Sequence, residues 1–273
     1  MVIPTVTLAE PIHRRVRQHL GAFGVPDYFF MIGLQGSQNY GLETENSDID
    51  TKMLILPTFS DFVKNREPIS TTKVMPNEEH CDVKDIRRYW ELLRKQNINF
   101  VELIFTNYVI VHPEYEKFWR EIRDNREAIA RYNPYRAVKS MKGMALEKYN
   151  ALTHRYPSKE AVIDKFGYDP KQLHHIVRLK YFIEDYTDGL PYEFCLRPHR
   201  QKELRELKSE GLKDASVESV KAYAFDALSE INRVADWYCS NTTPGGNPEV
   251  DEFLDGMLEQ ILAYHFKKEL VSR

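Results

Sequence analysis

The order of apolar and polar positions divides the chain into two stretches. Up to about residue 112 the pattern is mixed, because apolar runs typical of buried strands occur between segments with helical spacing. The predicted strands are 28–34, 49–56, 69–75 and 81–83, and the predicted helices are 10–20 and 85–95. The second of these helices carries Ile86, Tyr89, Trp90 and Leu93 on one side.

After Pro113 the apolar spacing is almost entirely helical. The candidate helices are 114–130, 134–154, 170–187, 201–207, 217–238 and 248–268. Asp169 and Pro170 together form a typical helix start, with a capping carboxylate before a proline at the first helical position. We therefore predict an α+β protein. A domain with a mixed sheet and flanking helices is expected over residues 1–112, and an all-helical domain over residues 113–273.

The composition fits a globular protein and excludes several other classes. Of the 273 residues, 42% are hydrophobic and 29% are charged, which is typical of a folded chain rather than a disordered one. The longest apolar run, 28–34, is too short to cross a bilayer, and the first ten residues do not resemble a secretory signal. Three widely spaced cysteines argue against a disulfide framework. We expect a cytoplasmic protein without a membrane partner, and the net charge of −3 neither favours nor excludes nucleic acid.

The segment from Gly33 to Asp50 carries the most informative chemistry. An apolar strand leads into Gly36 and Ser37, ten residues follow, and Asp48 and Asp50 then open another apolar strand. Alternate residues of a strand point to the same face, so the two carboxylates are expected side by side. A hard cation such as Mg²⁺ would offset their repulsion. The alternative is ordinary turn chemistry, since an Asp-x-Asp pair alone is a weak signal, but its combination with a strand and Gly-Ser is much more specific.

This pattern resembles the catalytic signature of the DNA polymerase β-like nucleotidyltransferase superfamily. The fuller string from Gly36 to Asp50 is similar to a bacterial and phage branch of predicted nucleotidyltransferases, some of which are encoded beside RNA ligases. Two further segments, 97–105 and 171–179, resemble other motifs of that branch. Ile98 stands where the branch has a proline. The resemblance is strongest over residues 29–105 and becomes thin towards residue 190.

The resemblance implies a role for each matching residue. Gly36 and Ser37 would hold the phosphates of a nucleoside triphosphate, with ATP expected, and Asp48 and Asp50 would bind Mg²⁺, or Mn²⁺ in its place. Members of the superfamily usually have a third metal-binding carboxylate that helps to deprotonate the acceptor. Asp82 is the preferred candidate here, with Glu79 and Asp85 as rivals. A purely structural role for Asp82, as a cap at the start of the helix at 85–95, is the alternative.

A second candidate site lies in the predicted helix 170–187. At about 100° per residue, Lys171, His174, His175 and Arg178 share roughly a third of the helix circumference, and apolar residues occupy most of the remainder. A basic stripe on a largely buried helix requires an anionic partner. That partner could be a triphosphate, an RNA phosphate or a protein carboxylate in a structural ion pair. Lys171 and Arg178 are therefore candidates for nucleotide binding.

The implied activity is metal-dependent transfer of a nucleoside monophosphate to an acceptor hydroxyl, with release of pyrophosphate. The association with RNA ligases favours RNA or tRNA as the acceptor. A protein hydroxyl, as in antitoxin-type AMP-transferases, is the first alternative. A non-catalytic module that senses nucleotides or binds a partner is the second, although such degenerate members typically lose one of the two aspartates.

Overall fold

The computed structural model describes residues 6–23, 28–45 and 47–272, and these form an α+β structure. The strands are β1 Phe29–Gln35, β2 Asp50–Ile55, β3 Ser70–Val74, β4 His80–Asp85 and β5 Val109–Val111. The helices are α1 Val6–Gly21, α2 Phe59–Val63, α3 Ile86–Arg94, α4 Ile98–Val101, α5 Glu116–Asp124, α6 Arg126–Ala130, α7 Pro134–Ala151, α8 Glu160–Phe166, α9 Pro170–Thr187, α10 Tyr192–Leu196, α11 Gln201–Glu210, α12 Val217–Ser240 and α13 Pro248–Val271.

The strands form one mixed sheet in the order β3-β4-β2-β1-β5. Only the pairing of β2 with β4 is parallel, and the other three pairings are antiparallel. β1 is buried on both faces from Phe29 to Leu34, which explains why its sequence is an unbroken apolar run rather than an alternating one. β3 lies at one edge and is exposed along its whole length.

One hydrophobic core lies between α1 and the sheet. Val16 and Leu20 of α1 pack with Ile32 of β1, Met53 of β2 and Val83 of β4. The side chains of Met53 and Val83 point to the face opposite that of Asp50, because successive residues of a strand alternate between faces. This face of the sheet is therefore filled by apolar packing, and Asp50 lies on the other face.

The chain divides into two compact units that differ from a simple division at residue 112. The sheet unit contains the described residues of 1–39, 47–132 and 246–273, and the helical unit contains those of 40–46 and 133–245. α13 belongs to the sheet unit because the indole N–H of Trp90 donates to the Leu254 carbonyl at 2.7 Å, and because Arg94 pairs with Asp251 at 2.7 Å. The predicted domains 1–112 and 113–273 stay a prediction. Helical spacing alone does not show which helices of the second half pack against the sheet.

Within the helical unit, α9 packs against α7, α11 and α12. Asp169 caps α9 by accepting from the Lys171 backbone N–H at 2.9 Å, and Pro170 occupies the first helical position, as the sequence predicts. Leu173, Ile176 and Val177 are among the apolar residues that α9 buries. The expectation that this helix is largely buried is confirmed. No helix within the described residues has the length and apolar content to span a membrane.

Most predicted elements are present, with local differences that have physical causes. The predicted helix 114–130 is divided at Asn125, whose backbone leaves the helical region at φ −97° and ψ 9°, so α5 and α6 are separate. β5 was not predicted because three residues give no periodicity, and its conformation comes from pairing with Met31–Gly33 of β1. Short helices such as α2 and α10 were missed for the same reason.

The contact between Trp90 and α13 should stabilise the sheet unit measurably. Trp90→Phe removes a buried hydrogen bond to Leu254 and part of a buried ring, so we expect the free energy of unfolding to fall by about 2–3 kcal/mol. Trp237→Phe is the matched control, because Trp237 is exposed and its replacement should change stability by less than about 0.5 kcal/mol. Urea titration of the two variants would measure both values, and equal effects would contradict the assigned contact.

Candidate active site

The turn after β1 holds the two residues that the sequence assigns to phosphate binding. β1 ends at Gln35, Gly36 has a φ of +90°, and Ser37–Asn39 form a single 3₁₀ turn. Glycine adopts this φ without steric cost, whereas residues with a Cβ rarely do. Apart from residues 35–37 themselves, no heavy atom of the described residues lies within 4 Å of the point where a Cβ of residue 36 would stand. The space beside Gly36 is therefore open to the close approach of a ligand.

Asn39 fixes the conformation of this turn, a role that the sequence analysis missed. Its backbone N–H donates to the Gly36 carbonyl at 3.0 Å, and its side-chain amide donates to the Leu34 carbonyl at 3.0 Å. The hydroxyl of Thr106 donates to the Asn39 side-chain oxygen at 2.8 Å. Asparagine commonly stabilises turns through such side-chain hydrogen bonds to the backbone. The presence of an asparagine in this turn was therefore the sequence signal that could have indicated its role.

Glu102 is a buried carboxylate beside the same turn. Its Oε1 atom lies 3.4 Å from the backbone nitrogen of Gly36, which is long for a hydrogen bond. Its segment, 97–105, was singled out by resemblance but without a role for this residue. A phosphate oxygen that accepts from the Gly36 N–H would have to replace this weak carboxylate contact.

The two aspartates lie beside the turn, although only one is within a strand. β2 begins at Asp50, which pairs with Gln35 at the end of β1. Gly36 is the residue that follows Gln35, so the start of β2 lies beside the glycine turn. Asp48 is exposed and precedes the strand. The expectation that both residues belong to one strand is therefore wrong in detail, because the extended pairing begins only where β1 provides a partner. The pairing of Gln35 with Asp50 nevertheless places the start of β2 beside the residue that precedes Gly36.

Asp50 is oriented by the start of the neighbouring strand. The backbone N–H of His80 donates to Asp50 Oδ1 at 2.8 Å, and the His80 ring Nδ1 lies 3.5 Å from the same oxygen. Asp50 is partly exposed, so the carboxylate retains access to solvent. Its position is set by backbone hydrogen bonding while it remains available to a ligand.

Asp82 lies on the same sheet face as Asp50 but is already paired with two lysines. It is opposite Lys52 in the parallel register of β2 and β4. The Lys52 ammonium lies 2.7 Å from Asp82 Oδ2, and the Lys84 ammonium 2.5 Å from Oδ1. Burial opposes ionisation of Asp82, but the two ammonium groups outweigh it and hold the pKa of the carboxyl below its usual range. Asp82 is thus ionised and neutralised within the protein.

Glu79, a rival for the third carboxylate, anchors α1 to the acidic segment. It accepts from the His19 ring at 2.9 Å, from Arg15 at 3.2 Å, and from the Ile49 backbone N–H at 3.4 Å. Burial raises the pKa of this carboxyl, but hydrogen bonds from Asn77 and His19 and the Arg15 charge lower it further, so the net pKa is lowered. Glu79 is therefore held firmly by α1 through His19 and Arg15, and it reaches the peptide between Asp48 and Asp50 through one long contact.

Asp85, the other rival, is a helix cap. It accepts from the Arg87 backbone N–H at 2.9 Å and from the Arg87 guanidinium at 3.0 and 2.7 Å. The residue is almost fully buried. The capping role that the sequence analysis considered for Asp82 belongs to Asp85 instead.

The fit of a divalent metal depends on the two remaining carboxylates. Mg²⁺ is commonly held by one or two carboxylates together with substrate phosphates and water. Asp48 and Asp50 supply such oxygen donors, and Asp48 is exposed. Among the described residues, no three His, Cys, Asp or Glu side chains converge as a ready metal cluster. Asp48 and Asp50 are thus the accessible oxygen donors considered for a divalent cation.

The predicted basic stripe of α9 is reduced to two cations. The His174 ring bonds to the Leu204 carbonyl at 2.7 Å, and burial lowers the pKa of this imidazole to about 3. Burial also holds the pKa of His175 well below its usual value. Both rings are therefore neutral at physiological pH, and only Lys171 and Arg178 carry charge.

Arg178 is packed within the helical unit. Its guanidinium carbon lies 4.0 Å from the centre of the Tyr40 ring, and Tyr40 is fully buried. Gln201 donates to the Tyr40 carbonyl at 3.0 Å, and Lys208 donates to the Leu42 carbonyl at 3.2 Å. These contacts hold the start of the segment that links Ser37 to Asp48. Lys171, by contrast, is exposed.

Comparisons with known proteins add little to this geometry. No family model and no curated protein matches the chain. Among solved structures, a nucleotidyltransferase-like protein from Exiguobacterium sibiricum 255-15 is similar over 82% of this chain and 74% of its own, at 10% identity and a TM-score of 0.27. A likeness this weak carries no argument, so the function has to be inferred from the site.

The Glu79 network predicts a defined dependence of stability on pH. Its folded pKa lies below the ordinary value of 4.5, so its stabilisation is present above that value and is lost as the pH falls through the folded pKa. Glu79→Gln should lower the free energy of unfolding by about 1–3 kcal/mol at neutral pH, and by less below about pH 4. Glu78→Gln, an exposed neighbour, should behave like the wild type in the same urea titrations. A deficit that is independent of pH would contradict the role of the charge.

The stack of Arg178 on Tyr40 predicts that the two cations of α9 differ. Arg178→Met should lower the free energy of unfolding by about 1–2 kcal/mol, because a desolvated cation–π contact is lost. Lys171→Met should change it by less than about 0.5 kcal/mol, as expected at an exposed site. Thermal melting without ligand distinguishes them, and equal melting temperatures would refute the difference.

Proposed function

We propose that this protein is a metal-dependent nucleotidyltransferase that moves a nucleoside monophosphate from a nucleoside triphosphate to an acceptor hydroxyl. The observation that carries this proposal is the register of β1 against β2. It brings the end of β1, which leads into the open glycine turn at Gly36-Ser37, and the start of β2 at Asp50 to the same end of the sheet, and Asp48 precedes that start by two residues. A phosphate-binding turn beside a pair of cation-binding carboxylates is the arrangement that phosphoryl chemistry needs.

In the proposed site, some residues bind the phosphates and the metal, and others hold those residues in position. Gly36 offers its backbone to the phosphates, and the Ser37 hydroxyl donates to a phosphate oxygen. Asp48 and Asp50 would hold Mg²⁺ or Mn²⁺, which when bound stabilises the charge on the α-phosphate and on the leaving pyrophosphate. Asn39 and Glu79 keep the turn and the acidic segment in place.

In the proposed reaction the acceptor oxygen forms a bond to the α-phosphorus, and the bond from that phosphorus to the bridging oxygen of pyrophosphate breaks. The acceptor proton must leave as this bond forms. We propose Asp82 as the third carboxylate of the site. Its two lysines keep it ionised, which is the form that accepts a proton, but a role at the metal would require it to leave at least one of them.

The substrates are proposed on the basis of the sequence resemblance. ATP is the proposed nucleotide, and an RNA or tRNA end is the proposed acceptor, with a protein hydroxyl as the alternative. The assignment of Lys171 and Arg178 to the nucleotide also stays a prediction, and the packing of Arg178 on Tyr40 weakens it for that residue.

The direct test is incubation with each α-labelled nucleoside triphosphate, total RNA and cell lysate, with Mg²⁺ and with EDTA. Label that enters RNA or protein only with Mg²⁺, with release of pyrophosphate, supports nucleotidyl transfer and identifies the acceptor class. Binding of nucleotide without transfer to any fraction would instead favour a sensing module.

The acidic pair provides the sharpest mutational prediction. Asp48→Asn and Asp50→Asn should each lower the transfer rate more than about 100-fold, above the 10- to 100-fold cost typical of outer-shell partners of a metal. Both variants should fold, because Asp48 is exposed and Asp50 partly so. Glu45→Gln is the matched control, since it removes an exposed carboxylate from the segment between Ser37 and Asp48. Transfer at the wild-type rate by either aspartate variant would refute the site.

A further inference from the structure

A pocket of about 430 Å³ lies against the edge strand β5 in the sheet unit. Val109 and Val111 of β5 form one wall, and α5 and the start of α6 form the other. Its polar lining is dominated by Arg120, Arg123 and Arg126, so we name it the arginine pocket. None of these residues belongs to the proposed transfer site.

The arginines face the pocket because of helical spacing. Arg123 comes three residues after Arg120 and four after Trp119, so it neighbours both of them on the surface of α5. Trp119 is 4% exposed and packs edge-on against Phe30 of β1, with ring centroids 6.3 Å apart. This packing fixes the rotation of α5, and therefore the side on which the two arginines emerge.

The indole of Trp119 supplies an independent sign of a missing ligand. Its Nε1 atom is buried, and no hydrogen-bond acceptor for it is present among the described residues. A buried donor without an acceptor costs free energy, so such donors are rare unless a water or a ligand satisfies them. A ligand that enters the pocket and displaces the side chain covering this N–H could supply the acceptor and remove this cost.

The charge of the pocket indicates how much negative charge it can hold. Arg120 is exposed, Arg123 donates to the Asn107 side-chain oxygen at 3.2 Å, and the Arg126 guanidinium lies 5.6 Å from the centre of the Phe105 ring. Glu116 and Asp124 also line the pocket. Three arginines against two carboxylates leave a formal charge of +1, which suits one anionic group better than a long polyanion.

We propose that the arginine pocket binds one phosphate group. Guanidinium groups form paired, charge-assisted hydrogen bonds to phosphate oxygens, and the indole N–H adds a further donor. The phosphate could belong to the end of a nucleic-acid strand or to a small phosphorylated molecule. This proposal does not depend on nucleotidyl transfer, because it involves neither the acidic pair nor a metal.

The sheet register also relates the arginine pocket to Asp50, because the β5 wall of the pocket and Asp50 lie on the same face of the sheet. Val109 pairs with Gly33, and Gly33 pairs with Lys52. Paired residues point to the same face, and Lys52 shares its face with Asp50. The β5 wall of the pocket and Asp50 are thus on one face of the sheet, two strands apart, which is roughly 10 Å across the strands.

The test measures phosphate binding by the full chain in EDTA, without nucleotide. Thermal melting and calorimetry are performed with sodium phosphate and with sodium chloride at equal ionic strength. Phosphate should raise the melting temperature of the wild type. Arg120→Gln should weaken the phosphate affinity by roughly tenfold or more, as expected for one charge-assisted hydrogen bond, and Trp119→Phe should weaken it while keeping an aromatic ring in place.

Lys117→Gln is the matched control, because it removes one positive charge from α5 outside the pocket lining and should leave phosphate binding unchanged. Arg120 is exposed, so Arg120→Gln should fold even if Trp119→Phe does not. The absence of phosphate-dependent stabilisation in the wild type, or equal stabilisation of the wild type and Arg120→Gln, overturns the proposal.

Two forms of one short oligoribonucleotide, with a 5′-phosphate or a 5′-hydroxyl, distinguish the sources of the phosphate. Tighter binding of the 5′-phosphorylated form that is lost in Arg120→Gln identifies a strand end as the ligand. Phosphate binding with equal affinity for the two strands identifies a small phosphorylated molecule.

Discussion

The antiparallel pairing of β1 with β2 is the constraint on which the candidate site depends. Gln35 lies opposite Asp50, and the same register continues through Gly33 and Lys52 to the buried centre of the sheet. A shift of one residue would move every side chain of β2 to the other face and would turn Met53 and Ile55 towards the face that Asp50 now occupies. The hydrophobic packing of α1 against Met53 therefore does more than stabilise the sheet, because it also determines which face the carboxylates occupy.

The carboxylates around this site are distinguished by their partners. Glu79, Asp82 and Asp85 are each held by cationic side chains, and Glu79 and Asp85 also by backbone N–H groups. Asp48 is exposed, and Asp50 is oriented mainly by the N–H of His80. The protein thus neutralises the negative charge that it needs for structure and leaves accessible the two carboxylates that can take a cation. Glu79 links the two groups, since its Oε1 atom makes a long contact of 3.4 Å with the Ile49 N–H between the accessible pair.

Some of these features could be predicted from the sequence, and others depend on contacts between residues that are far apart in it. β1, β2 and the start of α9 were predictable because long apolar runs and the Asp169-Pro170 cap are local signals. The partners of Asp82 were not, because Lys52 is 30 residues away and only the parallel register of β2 and β4 brings the two together. The same holds for Glu102 and Asn39, whose contacts depend on where the segment 97–106 passes the glycine turn. Helical spacing identified the stripe on α9, but it could not show that burial leaves His174 neutral or that a tyrosine ring lies beneath Arg178.

The sheet unit is built from three separate stretches of the chain, which affects how it folds during synthesis. The ribosome completes β1 to β5 long before it makes α13, yet α13 supplies the carbonyl that accepts from Trp90 and the carboxylates that pair with Arg94. Until then the apolar side of α3 lacks part of its cover, and exposed apolar surface on a nascent chain favours aggregation or chaperone binding. The more than one hundred residues of the helical unit emerge during this interval. The sheet unit therefore completes its folding late, after residues 133–245 of the helical unit have been made in full.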